Sequence, residues 1–187
     1  MEQQHAAVFI DGAYMDKMQR MLGVLNIDMA AFSRWAANGY SMFRTYYYDC
    51  LPYQSGRPTL EESQRLSRKQ RYFHALEQLD RFMVRQGRVE FRGLLENERP
   101  LFAQKRIDLQ LGIDIGVLVG RNRVGCIVLV SGDSDMIPAV EVARTEGLIV
   151  RLIHGPVHTY RRDLWTKADE RIEMTEAILS DLRRPTK

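Results

Sequence analysis

Cys126-Ile127-Val128-Leu129-Val130-Ser131-Gly132-Asp133-Ser134-Asp135-Met136-Ile137-Pro138 is the stretch whose reading decides the fold. Ile127 to Val130 is an apolar run rich in β-branched residues, stopped by Ser131-Gly132, and reads as a buried strand ending in a tight turn. Asp133 and Asp135 follow at once. Pro138 sits where the first turn of a helix tolerates a missing N–H, and Val140, Val142 and Ala143 continue an apolar helical pattern. The order is strand, turn, helix. In an open parallel α/β sheet, ligands bind at the carboxyl ends of the strands, which is where both carboxylates fall.

The same pattern recurs at the amino end, where the apolar run Ala6 to Ile10 closes on Asp11-Gly12. Ala13 to Leu22 and Met29 to Asn38 read as helices, the second capped by Asp28. The aromatic segment Tyr40 to Tyr48 reads as a strand, and Pro52 to Pro58 as a loop. Leu60 to Gln86 carries one long helical pattern with a basic face of Arg65, Arg68, Lys69, Arg71 and Arg81. Val89 to Leu95 reads as a strand and Glu96 to Gln104 as a loop.

Lys105 to Gly120 alternates apolar residues with Asp108, Gln110, Gly112, Asp114 and Gly116 at period two, which taken alone indicates a strand. Its length exceeds the roughly 5 or 6 residues of an ordinary strand, and parallel neighbours need a crossover element, so a helix is expected. Leu148 to Ile153 reads as a further strand, Tyr160 to Ala168 as a short basic helix or turn, and Ile172 to Leu182 as either strand or helix. The basic tail Arg183 to Lys187 is expected to be mobile. Alternation of this kind predicts a single-domain, three-layer α/β/α sandwich, Rossmann-like, with a mostly parallel central sheet.

With 187 residues, 45% hydrophobic and 27% charged, the composition is that of an ordinary globular domain. A net charge of +3 is too small to demand a polyanionic partner by itself. Cys50 and Cys126 are the only cysteines and are expected to be reduced structural thiols, which favours a cytoplasmic setting. No apolar run approaches the ~18 residues of a membrane span, so no membrane partner is expected.

Four acids stand out by position: Asp11, Asp108, Asp133 and Asp135. Two unit charges about 4 Å apart repel by roughly 4 kcal/mol at an effective dielectric of about 20, so an ionised cluster needs a cation. No His or Cys pair has zinc spacing, and an oxygen-only donor set suits Mg²⁺ or Mn²⁺. Asp114 lies about 120° round a helix from Asp108, which leaves it as an acid behind the ligands. Lys17, Lys105 and Arg106 are the candidate phosphate contacts, and Ser131 and Ser134 could orient water or phosphate. Tyr14 is a candidate for base stacking, although buried packing is the commoner role of such a residue.

Val8-Phe9-Ile10-Asp11-Gly12, Lys105-Arg106-Ile107-Asp108 and Val130-Ser131-Gly132-Asp133-Ser134-Asp135-Met136-Ile137-Pro138 resemble, in order and spacing, the motifs of the NYN domain family, the LabA-like branch of the PIN-like nucleases. The resemblance implies a metal-dependent ribonuclease acting on an RNA substrate, with Asp11, Asp108 and Asp133 as metal-binding, catalytic acids and Asp135 as a fourth. It also implies the helix at Lys105 to Gly120. Tyr14 stands where family members commonly place Asn. This departure sustains an alternative, a catalytically silent metal- and RNA-binding regulatory module. A second copy of the chain is left open as a partner.

Overall fold

The computed structural model describes residues 4–94, 100–105 and 107–185. Among these, seven strands form one sheet: β1 (His5–Asp11), β2 (Ser41–Cys50), β3 (Phe82–Leu94), β4 (Pro100–Lys105), β5 (Cys126–Val130), β6 (Ile149–His154) and β7 (Glu170–Glu173). Their order across the sheet is β4-β3-β2-β1-β5-β6-β7. Every neighbouring pair is parallel except the edge pair β3 and β4. The helices are α1 (Gly12–Met21), α2 (Met29–Ala36), α3 (Leu60–Glu77), α4 (Ile107–Gly120), α5 (Ile137–Thr145), α6 (Arg162–Lys167) and α7 (Glu176–Asp181).

Side chains alternate across a strand, so β1 supplies both layers of core. Ala6, Val8 and Ile10 face the side covered by Met15 and Met18 of α1, Phe32 of α2, Phe73 and Leu76 of α3 and Leu179 of α7. Ala7 and Phe9 face the side covered by Leu111 and Ile115 of α4, Val140 and Ala143 of α5 and Leu164 of α6. All of these apart from Phe73 and Val140 are fully buried, and each large side chain contributes about 1.5–3 kcal/mol of apolar burial. The result is the expected three-layer α/β/α sandwich. Cys50 and Cys126 are buried thiols with no disulfide.

The chain steps from β1 outward to β2 and β3 with α1, α2 and α3 on one face. It then crosses back through α4 to β5, on the far side of β1, with α4, α5 and α6 on the other face. Connections therefore diverge above β1 and β5, whose register pairs Ile10 with Val130. This is a topological switch point, where an open α/β sheet has its crevice.

Three boundaries differ from the sequence expectation. The helix expected over Leu60 to Gln86 ends at Glu77, and Phe82 and Met83 belong to β3 instead. Arg81 makes the break by adopting φ 61°, a left-handed conformation reached here without glycine. β4 occupies most of the loop expected over Glu96 to Gln104 and takes Lys105 from the helix expected over Lys105 to Gly120, its register setting Gln104 opposite Val89 at the sheet edge. The open segment Ile172 to Leu182 divides into the end of β7 and the helix α7, capped by Thr175, whose hydroxyl accepts from the Ile178 amide. At the basic tail, Arg183 bridges to Ile27, and residues 186–187 lie outside the described residues.

Candidate metal centre

Asp11 is the last residue of β1 and the N-cap of α1, its Oδ1 accepting from the Tyr14 amide at 3.0 Å. A carboxylate is favoured there by the helix dipole, yet burial dominates and pushes the Asp11 pKa up to about 6. The Tyr14 amide opposes this rise, and the charges of Asp49 and Asp108 add to it.

Asp133 and Asp135 follow β5 on a single turn of 3₁₀ helix, Ser134–Met136. Both are exposed. Asp133 caps that turn, its Oδ1 accepting from the Asp135 amide at 3.1 Å. Asp133, and not Asp135, is therefore the capping acid before Pro138, while α5 begins with no side-chain cap. Asp108 lies in the first turn of α4 and is exposed. Partial burial raises its pKa first, and the charges of Asp133 and Asp135 raise it further. Asp108 thus links Asp11 on one strand with the Asp133 turn on the next. Beside it, a groove of about 390 Å³ between α4 and α5 is lined by Asp108, Asp135, Leu109, Ile113, Pro138 and Val142.

The donor set, carboxylate oxygens alone, suits a hard divalent cation in kind. Among the described residues, no three acids, histidines or cysteines stand close enough together to close on an ion as placed.

The other candidates divide. Ser131 is buried and its hydroxyl accepts from the Asp133 amide at 3.2 Å, so it shapes the turn and has no direct path to a phosphate. Ser134 is half-buried and Lys17 is exposed on α1. Lys105 closes β4, and Arg106 lies outside the described residues. Tyr14 is buried, which removes it as a stacking platform. Its phenol oxygen accepts from the Gly155 amide at 2.9 Å and shares a hydrogen bond of 3.2 Å with the Thr159 hydroxyl, so it ties α1 to the segment after β6. Gly132 is required beneath it, because a Cβ there would lie 2.6 Å from the Tyr14 ring and against the Thr159 carbonyl oxygen. Asp114 does not join the other acids. It receives both Nε (2.9 Å) and a terminal nitrogen (2.8 Å) of Arg85, with the Tyr48 hydroxyl at 2.8 Å, and fastens α4 to β2 and β3.

Two site neighbours escape the sequence reading, Asp49 and Lys69. Asp49 lies near the end of β2 with its carboxylate against Gly12, where a Cβ would meet Oδ2 at 2.7 Å. Burial raises its pKa, and the ammonium of Lys69, paired with it from α3, opposes the rise. Lys69 also reaches Asp16 at 3.3 Å. The signal was present for Asp49, which follows the aromatic run Tyr46 to Tyr48 as Asp11 follows an apolar one.

The fold is that of a Rossmann-like α/β/α domain, with Asp11 ending β1 and Asp133 following the neighbouring β5 at the switch point of the sheet. The chain belongs to the NYN domain family, which matches residues 5–174. It is similar in fold to a crystal structure of a protein of unknown function, VPA0982, from Vibrio parahaemolyticus RIMD 2210633. That likeness has a TM-score of 0.62 at 20% identity and covers 92% of this chain and 93% of that one. No curated protein matches the chain. Among the described residues, no helix is long and apolar enough to cross a membrane.

Proposed function

We propose that the protein is a LabA-like NYN ribonuclease that hydrolyses RNA phosphodiester bonds with Mg²⁺ or Mn²⁺ at Asp11, Asp108, Asp133 and Asp135. The observation that carries this reading is the placement of the acids: Asp11 ends β1, Asp133 and Asp135 follow the neighbouring β5, and Asp108 opens α4. Asp11 is raised to about 6 in part by Asp108, and Asp108 is raised in part by Asp133 and Asp135. Carboxylates that disfavour one another's charge at a strand-end crevice are a site prepared for a cation. NYN domains are generally nucleases of the PIN-like kind, which supports the same chemistry.

When bound, the ion would supply Lewis acidity toward a phosphate oxygen and a hydroxide nucleophile at neutral pH. The chain's own residues hold the geometry. Asp11 is fixed by the Tyr14 amide, and Asp133 is oriented by the Ser131 hydroxyl beneath its amide and by the turn it caps. Ser134, Lys17, Lys105 and Arg106 serve the phosphate in this reading, which treats residues 1–187 as one domain in a cytoplasmic setting. The silent-module alternative draws on the Tyr14 side chain, whose phenol is committed to Gly155 and Thr159 and which has no carboxamide to offer the acids.

Millimolar Mn²⁺ should raise the melting temperature of the unmutated protein and leave that of Asp133→Asn unmoved, since an ion that binds only the folded state stabilises it by mass action. An unmutated protein that shows no shift would remove the acidic-cluster argument.

A further inference from the structure

A cleft of about 720 Å³ opens at the carboxyl end of β2, between α1 and α3. Five cations line it: Arg20 from α1, Arg65, Arg68 and Lys69 from α3, and Arg184. The lining holds one carboxylate, Asp16, and that is paired with Lys69 at 3.3 Å. Five cations against one carboxylate give the lining a local excess of +4, larger than the +3 of the whole chain.

The cations are not equivalent. Arg65 is paired with Glu61 at 2.7 Å, and Lys69 with Asp16 and Asp49. Arg20, Arg68 and Arg184 are exposed and have no carboxylate partner among the described residues. Arg184 is held at the rim by its own amide, which donates to the Asn26 carbonyl oxygen at 3.0 Å. Three guanidinium groups around one concavity repel one another unless an anion lies among them.

Part of the wall is apolar: Leu25, 51% exposed, lines the cleft with Leu51, Pro52 and Tyr72. A duplex shows a protein its phosphates and would need only a basic surface. A single strand also exposes base faces, which need apolar or aromatic walls. None of the four acids lines the cleft; its link to them is Lys69, whose partner Asp49 lies against Gly12, the residue after Asp11.

We propose that this cleft binds single-stranded RNA, its phosphates on Arg20, Arg68 and Arg184, and leads the strand to the acids at the ends of β1 and β5. The assignment of RNA rests on the nuclease reading.

The test is fluorescence anisotropy with a labelled single strand of roughly 12 nucleotides, a length that spans one such site, in EDTA so that the RNA stays intact. Arg20→Glu/Arg68→Glu is compared with Arg34→Glu, a charge reversal at an exposed position of α2 outside the cleft. The proposal expects the double variant to bind at least roughly tenfold more weakly at an unchanged melting temperature, and Arg34→Glu to bind as the unmutated protein does. Three phosphate contacts give a salt slope of about −2, hence about a twentyfold loss of affinity between about 50 and 200 mM salt. Undiminished binding by the double variant, an equal loss in Arg34→Glu, or tighter binding of a duplex of the same sequence would overturn it. Because binding is read without metal, a protein that binds through these arginines but never cleaves would count against the nuclease reading alone.

Discussion

The carboxyl of Asp11 is pushed up to about 6, against an ordinary value of 3.8, because it is partly shielded from water at a strand end, with the charges of Asp49 and Asp108 adding to the rise. A carboxyl raised by folding keeps its proton longer in the folded chain than in the unfolded one. Its contribution to stability is therefore fully present below about pH 4, falls as pH rises toward about 6, and is gone above that, a loss of at most about 3 kcal/mol. Asp11→Asn keeps an oxygen for the Tyr14 amide and has no charge to lose. It should melt several degrees higher than the unmutated protein at about pH 7.5 without metal, and flatten the pH dependence between about 4 and 6. A lower melting temperature in that variant would show that Asp11 is not an electrostatic burden on the metal-free fold. The strand-end acids were legible in the sequence because a β-branched run, an acid and a glycine are a local signal. Lys69 was not, since nothing in a basic helix face tells which cation folds back onto a buried acid. Buried packing was the commoner expectation for Tyr14, but its partners Gly155 and Thr159 were invisible because they are remote in sequence.

At the scale of elements, α4 shows why periodicity misled. Leu109, Ile113 and Val117 are 67%, 55% and 44% exposed, and the opposite face is buried on the sheet, so the helix is apolar on both sides and has no polar stripe to reveal its period. Length and the need for a crossover identified it instead. Its attachment is polar, through the Asp114 contacts with Arg85 and Tyr48. Asp114→Ala leaves these partners unmatched and should cost about 1–3 kcal/mol in chemical denaturation. The Mn²⁺ response should persist, because Asp114 lies apart from the other acids. Loss of that response with stability intact would instead make Asp114 part of the centre. α3 was overextended for a related reason: Phe82 and Met83 continue its apolar pattern, and the chain turns at Arg81 with neither Gly nor Pro to announce it. β4 was missed because its apolar run, Leu101 to Ala103, is too short to signal a strand without its partner β3.

For the whole molecule, the decisive fact is the strand order, which no local pattern contains. β1 lies between β2 and β5, so Asp11 comes to stand beside both the Asp133 turn and Asp49. Fold class followed from alternating elements, but which acids would meet depended on this order and on the return of α4 across the opposite face. Two unlike grooves then flank the sheet, a basic one at the end of β2 and a largely apolar one between α4 and α5 that is lined by Asp108 and Asp135. The most direct measurement is cleavage of an end-labelled single-stranded RNA by the unmutated protein and by Asp133→Asn, each with Mn²⁺ and with EDTA. The account predicts cleavage that requires the metal and is lost in Asp133→Asn. RNA bound but left intact by the unmutated protein in Mn²⁺, or cleavage undiminished in Asp133→Asn, would contradict it.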